Sequence, residues 1–287
     1  MAYSLLITWR EGLEAGLIIA IVLSYLARID QRRYWLHVWL GTGVALLGSL
    51  AAGVALEATA TRLSGTAQEA MEGGGMLFAV AVLTSMIFWM KRQAATIGAH
   101  LRQQVDVALR TGSALALAAL AFTAVGREGL ETVLFLFAGS STAESGSTYW
   151  MGAGAGLALA VVMSSILYAG AARLPLRAFF NISGIALIVL AAGLLVNGLK
   201  ELHEIGATPD LGPRLWDTYN LVADNSQLGR FLGTILGYDS SPFLGLVMVY
   251  AAYLVFTLTF FIWGQAIALP GPRPATAPRP QLEREQR

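Results

Sequence analysis

Apolar residues in this chain fall in long unbroken runs parted by short polar stretches, and the runs do not alternate with a period of two. Runs of about 20 residues match the thickness of a bilayer's hydrocarbon core when the backbone is helical. The pattern predicts membrane-crossing helices over roughly 3–27, 36–58, 72–91, 112–139, 149–172, 177–200 and 243–266. The apolar run starting near Met1 has no basic residues before it and continues past Arg10 to Ala27, so it reads as a retained first span and not a cleaved leader. The stretch from Lys91 to Arg110 reads as a helix lying at the cytoplasmic interface. From Ile267 the chain holds five prolines in 21 residues and reads as a disordered cytoplasmic tail, 267–287.

Composition agrees with lipid as the solvent. Of 287 residues, 56% are hydrophobic and 13% charged, where a soluble domain carries about a quarter charged residues. The fold class expected is an all-α integral membrane protein of about seven transmembrane helices. The net charge of +1 has no basic face behind it and gives no indication of nucleic-acid binding.

The basic residues set an orientation. Arg28, Arg32, Arg33, Lys91, Arg92, Arg102, Arg110, Arg173 and Arg177, with four arginines of the tail, share one side of the predicted spans. Only Arg62, Lys200, Arg214 and Arg230 lie on the other. Lys and Arg collect in cytoplasmic connections, which puts the N-terminus outside and the C-terminus in the cytoplasm. The outer side is then acidic, with Glu69, Glu72, Glu144, Glu201, Glu204, Asp210, Asp217, Asp224 and Asp239. Such a surface is either ordinary solvated loop charge or an attractor of cations.

A short sequence occurs twice, Arg-Glu-Gly-Leu-Glu at 10–14 and again at 127–131. A second echo follows each copy, Trp39-Leu40-Gly41-Thr42-Gly43 and Trp150-Met151-Gly152-Ala153-Gly154. The chain thus divides into repeat one (1–111), repeat two (112–204), an outer loop (205–242) and a last helix (243–266). Three spans separate the copies, so the second crosses the membrane in the opposite sense. This is the inverted three-plus-three plan of many transporters, whose substrate sites lie at the repeat interface.

The motifs place Arg10, Glu11, Glu14, Arg127, Glu128 and Glu131 inside predicted spans. Each uncompensated charge at mid-membrane costs roughly 2.5–3.5 kcal/mol on the insertion scale. Residues three and four apart share one helix face, so each motif can gather its charges on one side. Internal salt bridges alone satisfy two of the four carboxylates, because there are two arginines. The remaining two negative charges call for protons or a bound cation. Cysteine is absent, which excludes thiolate metal sites, disulfides and cysteine nucleophiles. His37, His100 and His203 lie far apart without ligand spacing. A site of four carboxylates is a hard-oxygen site, suited to iron, manganese, magnesium or calcium. The methionines around the third span (Met71, Met76, Met86, Met90) read as packing residues. No nucleophile, ordered triad or cofactor motif points to an enzyme.

These paired motifs resemble the oxidase-dependent iron permeases, the high-affinity iron transporters of fungi and their bacterial relatives. The resemblance extends over about residues 3–266. It includes Glu72-Gly73 leading to Leu83-Thr84-Ser85-Met86 and Trp89-Met90, then Trp216-Asp217, 224–233 and Gly237-Tyr238 before Pro242. It implies an inner-membrane importer whose metal-binding residues are Glu11, Glu14, Glu128 and Glu131, with Arg10 and Arg127 balancing charge. Iron is then the transported substrate, and no cofactor is permanently bound. Members often carry further Glu-x-x-Glu pairs outside the membrane. Glu69 and Glu72 have that spacing, as do Glu201 and Glu204 around His203. Glu72 is the favoured metal residue among these, because it borders an apolar span. The resemblance also implies an oxidase or periplasmic peroxidase-like protein that delivers iron. A transporter of another cation, lead or manganese, is the alternative.

Overall fold

The computed structural model describes residues 1–93, 96–110, 113–140, 146–169 and 176–263. The predicted tail, Glu144 and Arg173 lie outside the described residues. The described chain is built of helices: α1 (Ala2–Arg28), α2 (Trp35–Ala60), α3 (Thr66–Gln93), α4 (Ile97–Arg110), α5 (Ala114–Ser140), α6 (Ser147–Tyr168), α7 (Leu176–Glu204), α8 (Gln227–Leu236) and α9 (Leu244–Trp263). By length and composition α2, α3, α6, α7 and α9 can each cross a membrane. The helices α1 and α5 are equally long and fall short of that criterion only through the charges of their motifs. Apolar side chains of α2, α6 and α9 stay exposed along their lengths, among them Leu47, Val54, Leu157, Val161, Val255 and Phe260. A surface of that kind is stable against lipid. The protein is an all-α, multi-pass membrane protein.

The helices pair α1 with α6, α2 with α5 and α3 with α7, and α1 also packs on α5. Exchanging α1 with α5, α2 with α6 and α3 with α7 leaves this set of pairs unchanged. The close approaches obey the same exchange. Gly12 of α1 faces Ala160 of α6, and Gly129 of α5 faces Ser49 of α2. Gly156 meets Trp9, and Gly126 meets Ala45. Gly152 abuts Met1, and Gly41 abuts Ala118. Shifting α1 by 117 residues and α2 by 111 turns each contact into its partner, the same offsets that separate the sequence echoes. Between α3 and α7, Gly73 and Gly198 meet each other: a Cβ on either would lie 3.0–3.1 Å from the other's carbonyl oxygen. Small residues at these crossings bring the backbones close, as membrane helices require when water supplies no hydrophobic drive between them.

Two clusters of apolar side chains hold the bundle. One, near the start of α1, joins Tyr3, Ile7, Met76, Leu83, Phe135, Tyr149 and Leu190. The other gathers Leu23, Leu26, Val38, Val105 and Leu117 around the far end of α1 and under α4.

Four expectations need correction. The third span begins at Thr66 and not near 72, so Glu69 and Glu72 lie within α3. Its first turn, Thr66 to Glu69, is too polar to register in an apolar run, and beyond it Gly73 is packed on Gly198 and Gly75 against Phe137. The sixth long helix continues to Glu204, which places Glu201, His203 and Glu204 on its last turn and not beyond it. The interfacial stretch is shared between the end of α3 and α4, which buries Leu101, Val105 and Ala108. Finally, the outer loop contains α8, capped where Ser226 Oγ accepts from the Gly229 N–H at 2.9 Å and ended by Gly237 at φ 68°. Ten residues are too few to register as an apolar run.

The 205–242 segment is tied down by Lys200, which donates to Asp239 at 2.7 Å. Burial raises the Asp239 carboxyl, but hydrogen bonds from Lys200 and from the Ser241 N–H outweigh it and hold the group below the usual carboxylate range. His203 is engaged by the Thr208 hydroxyl at 3.0 Å and stacks edge-on to Phe243.

At Gly156 a Cβ would strike the Thr8 hydroxyl and the Leu5 carbonyl, whereas one at Gly43 meets nothing within 4 Å. Gly156→Ala is therefore expected to cost about 1–3 kcal/mol, the usual range for overpacking, and Gly43→Ala nothing measurable. Thermal midpoints of the two variants in detergent check this.

Candidate metal centre

The centre lies where α1 crosses α5, with Arg10, Glu11 and Glu14 on one helix and Arg127, Glu128 and Glu131 on the other. The motif's glycines permit the crossings beside it: Gly12 lets α6 approach α1, and Gly129 lets α2 approach α5. The carboxylates of Glu11, Glu128 and Glu131 each offer an oxygen, and these oxygens lie within 4.8 Å of one another. Around an ion with metal–oxygen distances of about 2.1 Å, ligand oxygens sit roughly 3–4.2 Å apart, so modest side-chain rotation closes the group. Glu14 stands outside this tight trio, held by Arg10.

The two arginines are not used alike. Arg10 bridges Glu11 and Glu14 at 2.6 Å each, its side chain only 4% exposed. Arg127 donates to Glu131 at 2.8 Å and is 40% exposed. Helix α3 touches both: Met86 Sδ lies 3.5 Å from the Arg10 guanidinium, and the Arg127 guanidinium sits over the Trp89 ring at 4.2 Å from its centroid. Two residues of the third-span pattern thus form the wall behind the arginines.

The pairing leaves acceptors over. Glu11 Oε2, Glu14 Oε2, Glu128 Oε2 and Glu131 Oε2 are buried without a hydrogen-bond partner among the described residues. A buried polar atom of this kind costs on the order of 1–3 kcal/mol, and more when charged. Oxygens of Glu11, Glu128 and Glu131 converge there, with Glu14 beside them on Arg10 and the two motif guanidinium groups close by, a donor set suited to a hard cation.

Comparison with known proteins decides what kind of protein carries this centre. The model of the iron permease FTR1 family matches residues 1–271. The chain belongs to that family. It is therefore a permease, not an enzyme, and its family's substrate is iron. Among its relatives is the ferrous iron permease EfeU of Yersinia pestis, 35% identical over 258 residues, which span 89% of this chain and 91% of the relative. The proteins of the same name from Shigella sonnei and Escherichia coli O157:H7 are each 37% identical over 277 residues, 96% of this chain and 98% of the relative. No solved structure matches the chain.

The structure brings together Glu11, Glu128 and Glu131, keeps Glu14 beside them on Arg10, and leaves Glu69 and Glu72 in the first turns of α3, far along the chain from the motifs. Glu72 accepts from Gln68 at 2.8 Å. Glu201 of α7 lies within electrostatic reach of Glu69, Glu72 and Glu204, so the two Glu-x-x-Glu pairs form one acidic patch. The sequence reading missed Tyr3 and Tyr149. Both are about 1% exposed, and their hydroxyls donate to the Phe135 and Leu136 carbonyls, one turn beyond Glu131. Isolated tyrosines at helix starts carry no signal of such a role in a single sequence.

Because Arg10 is buried with both its carboxylates, Arg10→Gln strands two charges in a dry setting and is expected to cost about 3–5 kcal/mol. Arg127→Gln, at a half-exposed position, should cost less than half as much. Membrane abundance and thermal midpoints of the two variants, compared side by side, check the order.

Proposed function

We propose that this permease imports iron across the bacterial cytoplasmic (inner) membrane through a site formed by Glu11, Glu14, Glu128 and Glu131, with Arg10 and Arg127 balancing charge. The observation that carries the reading is the convergence of both Arg-Glu-Gly-Leu-Glu copies at one buried crossing, each glutamate keeping an oxygen without a hydrogen-bond partner among the described residues. The guanidinium groups stabilise the metal-free site. An arriving cation supplies the remaining positive charge, and the carboxylates supply oxygen ligands of the hardness iron accepts.

The long helices α1, α2, α3, α5, α6, α7 and α9 are the seven spans of this proposal, the first six as an inverted three-plus-three repeat. The matched registers of the α1–α6 and α5–α2 crossings support it. The distribution of Lys and Arg supports an outer N-terminus and a cytoplasmic C-terminus. The patch of Glu69, Glu72, Glu201 and Glu204 then faces outward and gathers cations before they pass inward, with Glu69 and Glu72 as the receiving pair. An oxidase or peroxidase-like protein on that side belongs to the proposal as the iron donor. No permanently bound cofactor is invoked. An all-oxygen site suits manganese as well as iron, and lead is the other competitor to be tested.

Glu14→Gln and Glu131→Gln are each expected to lower initial iron uptake by at least about ten-fold, the scale on which lost metal-site contacts act. The measurement is radioactive iron uptake into cells lacking other importers, at equal membrane abundance, with manganese and lead as competitors. Wild-type uptake in both variants would make the motif a structural lock. Uptake blocked equally well by manganese would shift the substrate.

A further inference from the structure

A cavity of about 280 Å³ adjoins the carboxylates. Glu14, Arg127 and Glu128 line one end of it, and Gln93, His100 and Gln104 line the other. Its walls follow single helix faces: Leu17, Ile18 and Ile21 continue from Glu14 along α1, and Leu120, Thr123 and Ala124 precede Arg127 along α5. The cavity therefore runs from the centre toward α4, along the second half of α1 and the first half of α5. That is the cytoplasmic side in the orientation proposed above.

The opposite side of the centre is closed. One or two turns beyond the glutamates, Tyr3, Ile7, Phe135 and Tyr149 pack with virtually no exposure. The Tyr3 ring also fills the space beside Gly139, where a Cβ would collide with it. Both tyrosine hydroxyls are latched to α5 carbonyls. The centre thus meets a dry plug on the outer side and an open space on the α4 side.

The far end of that space has its own chemistry. His100 stands on the first turn of α4 and Gln104 one turn later on the same face, with Gln93 at the last residue of α3. Imidazole and amide oxygen are neutral donors. Imidazole suits borderline metals such as iron. Neutral donors hold a cation less firmly than a cluster of carboxylates does, which favours onward release. We propose that this cavity is the vestibule through which iron leaves the glutamates for the cytoplasm, and that His100, helped by Gln93 and Gln104, is its next ligand on the way out. The proposal rests on the iron-import reading and adds a route and a residue to it. Helix α4 is then the functional floor of the exit and not only a membrane-surface helix: its buried Leu101, Val105 and Ala108 anchor it to the bundle while His100 and Gln104 line the cavity.

The chain has no cysteine, so one introduced thiol reports alone. The experiment pairs accessibility with transport in the full-length protein. Thr123→Cys, on the cavity wall, is expected to react with a membrane-impermeant thiol reagent added to the cytoplasmic face of vesicles and not with reagent added outside. Ala138→Cys, in the plug, is expected to react from neither face. His100→Ala should lower the initial uptake rate roughly ten-fold, in the range seen when one contact around a metal is lost. Iron bound at equilibrium by the purified protein should stay within a factor of about two, since the glutamates remain. Absence of cytoplasmic labelling at position 123 would overturn the vestibule. Wild-type uptake by the His100 variant, in protein that binds iron, would overturn the ligand role alone. A wild-type protein that binds no iron would sink the iron reading, and the labelling would still decide which way the cavity opens.

Discussion

The structure depends on how four carboxylates and two guanidinium groups are held together inside a bundle that is otherwise apolar. Charges in such a setting are costly, and the cost falls only when opposite charges are brought into contact and the remaining acceptors face a common point. Arg10 meets this requirement on α1 by engaging Glu11 and Glu14 together. Arg127 meets it in part on α5. The two helices have to cross at that level, because neither can satisfy its motif against lipid.

The other helices follow from this crossing. For α1 and α5 to meet, α6 and α2 must lie close against their backs, and glycine or another small residue occurs wherever they do. Helix α3 packs on α7 through Gly73 and Gly198 and brings Met86 and Trp89 to the two arginines. The outermost helices have no charge to shelter, and their apolar faces can be left to the membrane. The long hydrophobic runs and the two short charged motifs are thus two parts of one arrangement, a lipid-facing shell and the polar centre it encloses.

Much of this was legible in the sequence. The runs located each long helix, with ends displaced by as much as six residues, and the repeated motif identified the residues at the α1–α5 crossing. Harder to read was whatever depends on tertiary contact. The first turn of α3, Thr66 to Glu69, is too polar to register in an apolar run, yet it is helical and continuous with the turns where Gly73 packs on Gly198 and Gly75 against Phe137. Helix α8 is too short to stand out by hydropathy and is betrayed only by Ser226 and Gly237 at its ends. Equal motifs also gave no hint that Arg10 would be enclosed and Arg127 half open, since identical pentapeptides acquire different surroundings only when the rest of the chain packs around them. Tyr3 and Tyr149 escaped for the same reason, their partners being carbonyl groups that every residue has.

That inequality between the arginines carries a consequence for vectoriality. A channel assembled from two interchangeable halves would look the same from either mouth, and an ion inside it would have no structural reason to favour one departure over the other. Duplicated motifs that kept their letters but took on different surroundings give the assembly a front and a back. The two motif-bearing helices share one crossing register while their arginines sit in unlike surroundings, so an ion meets different neighbours on the two approaches to the centre.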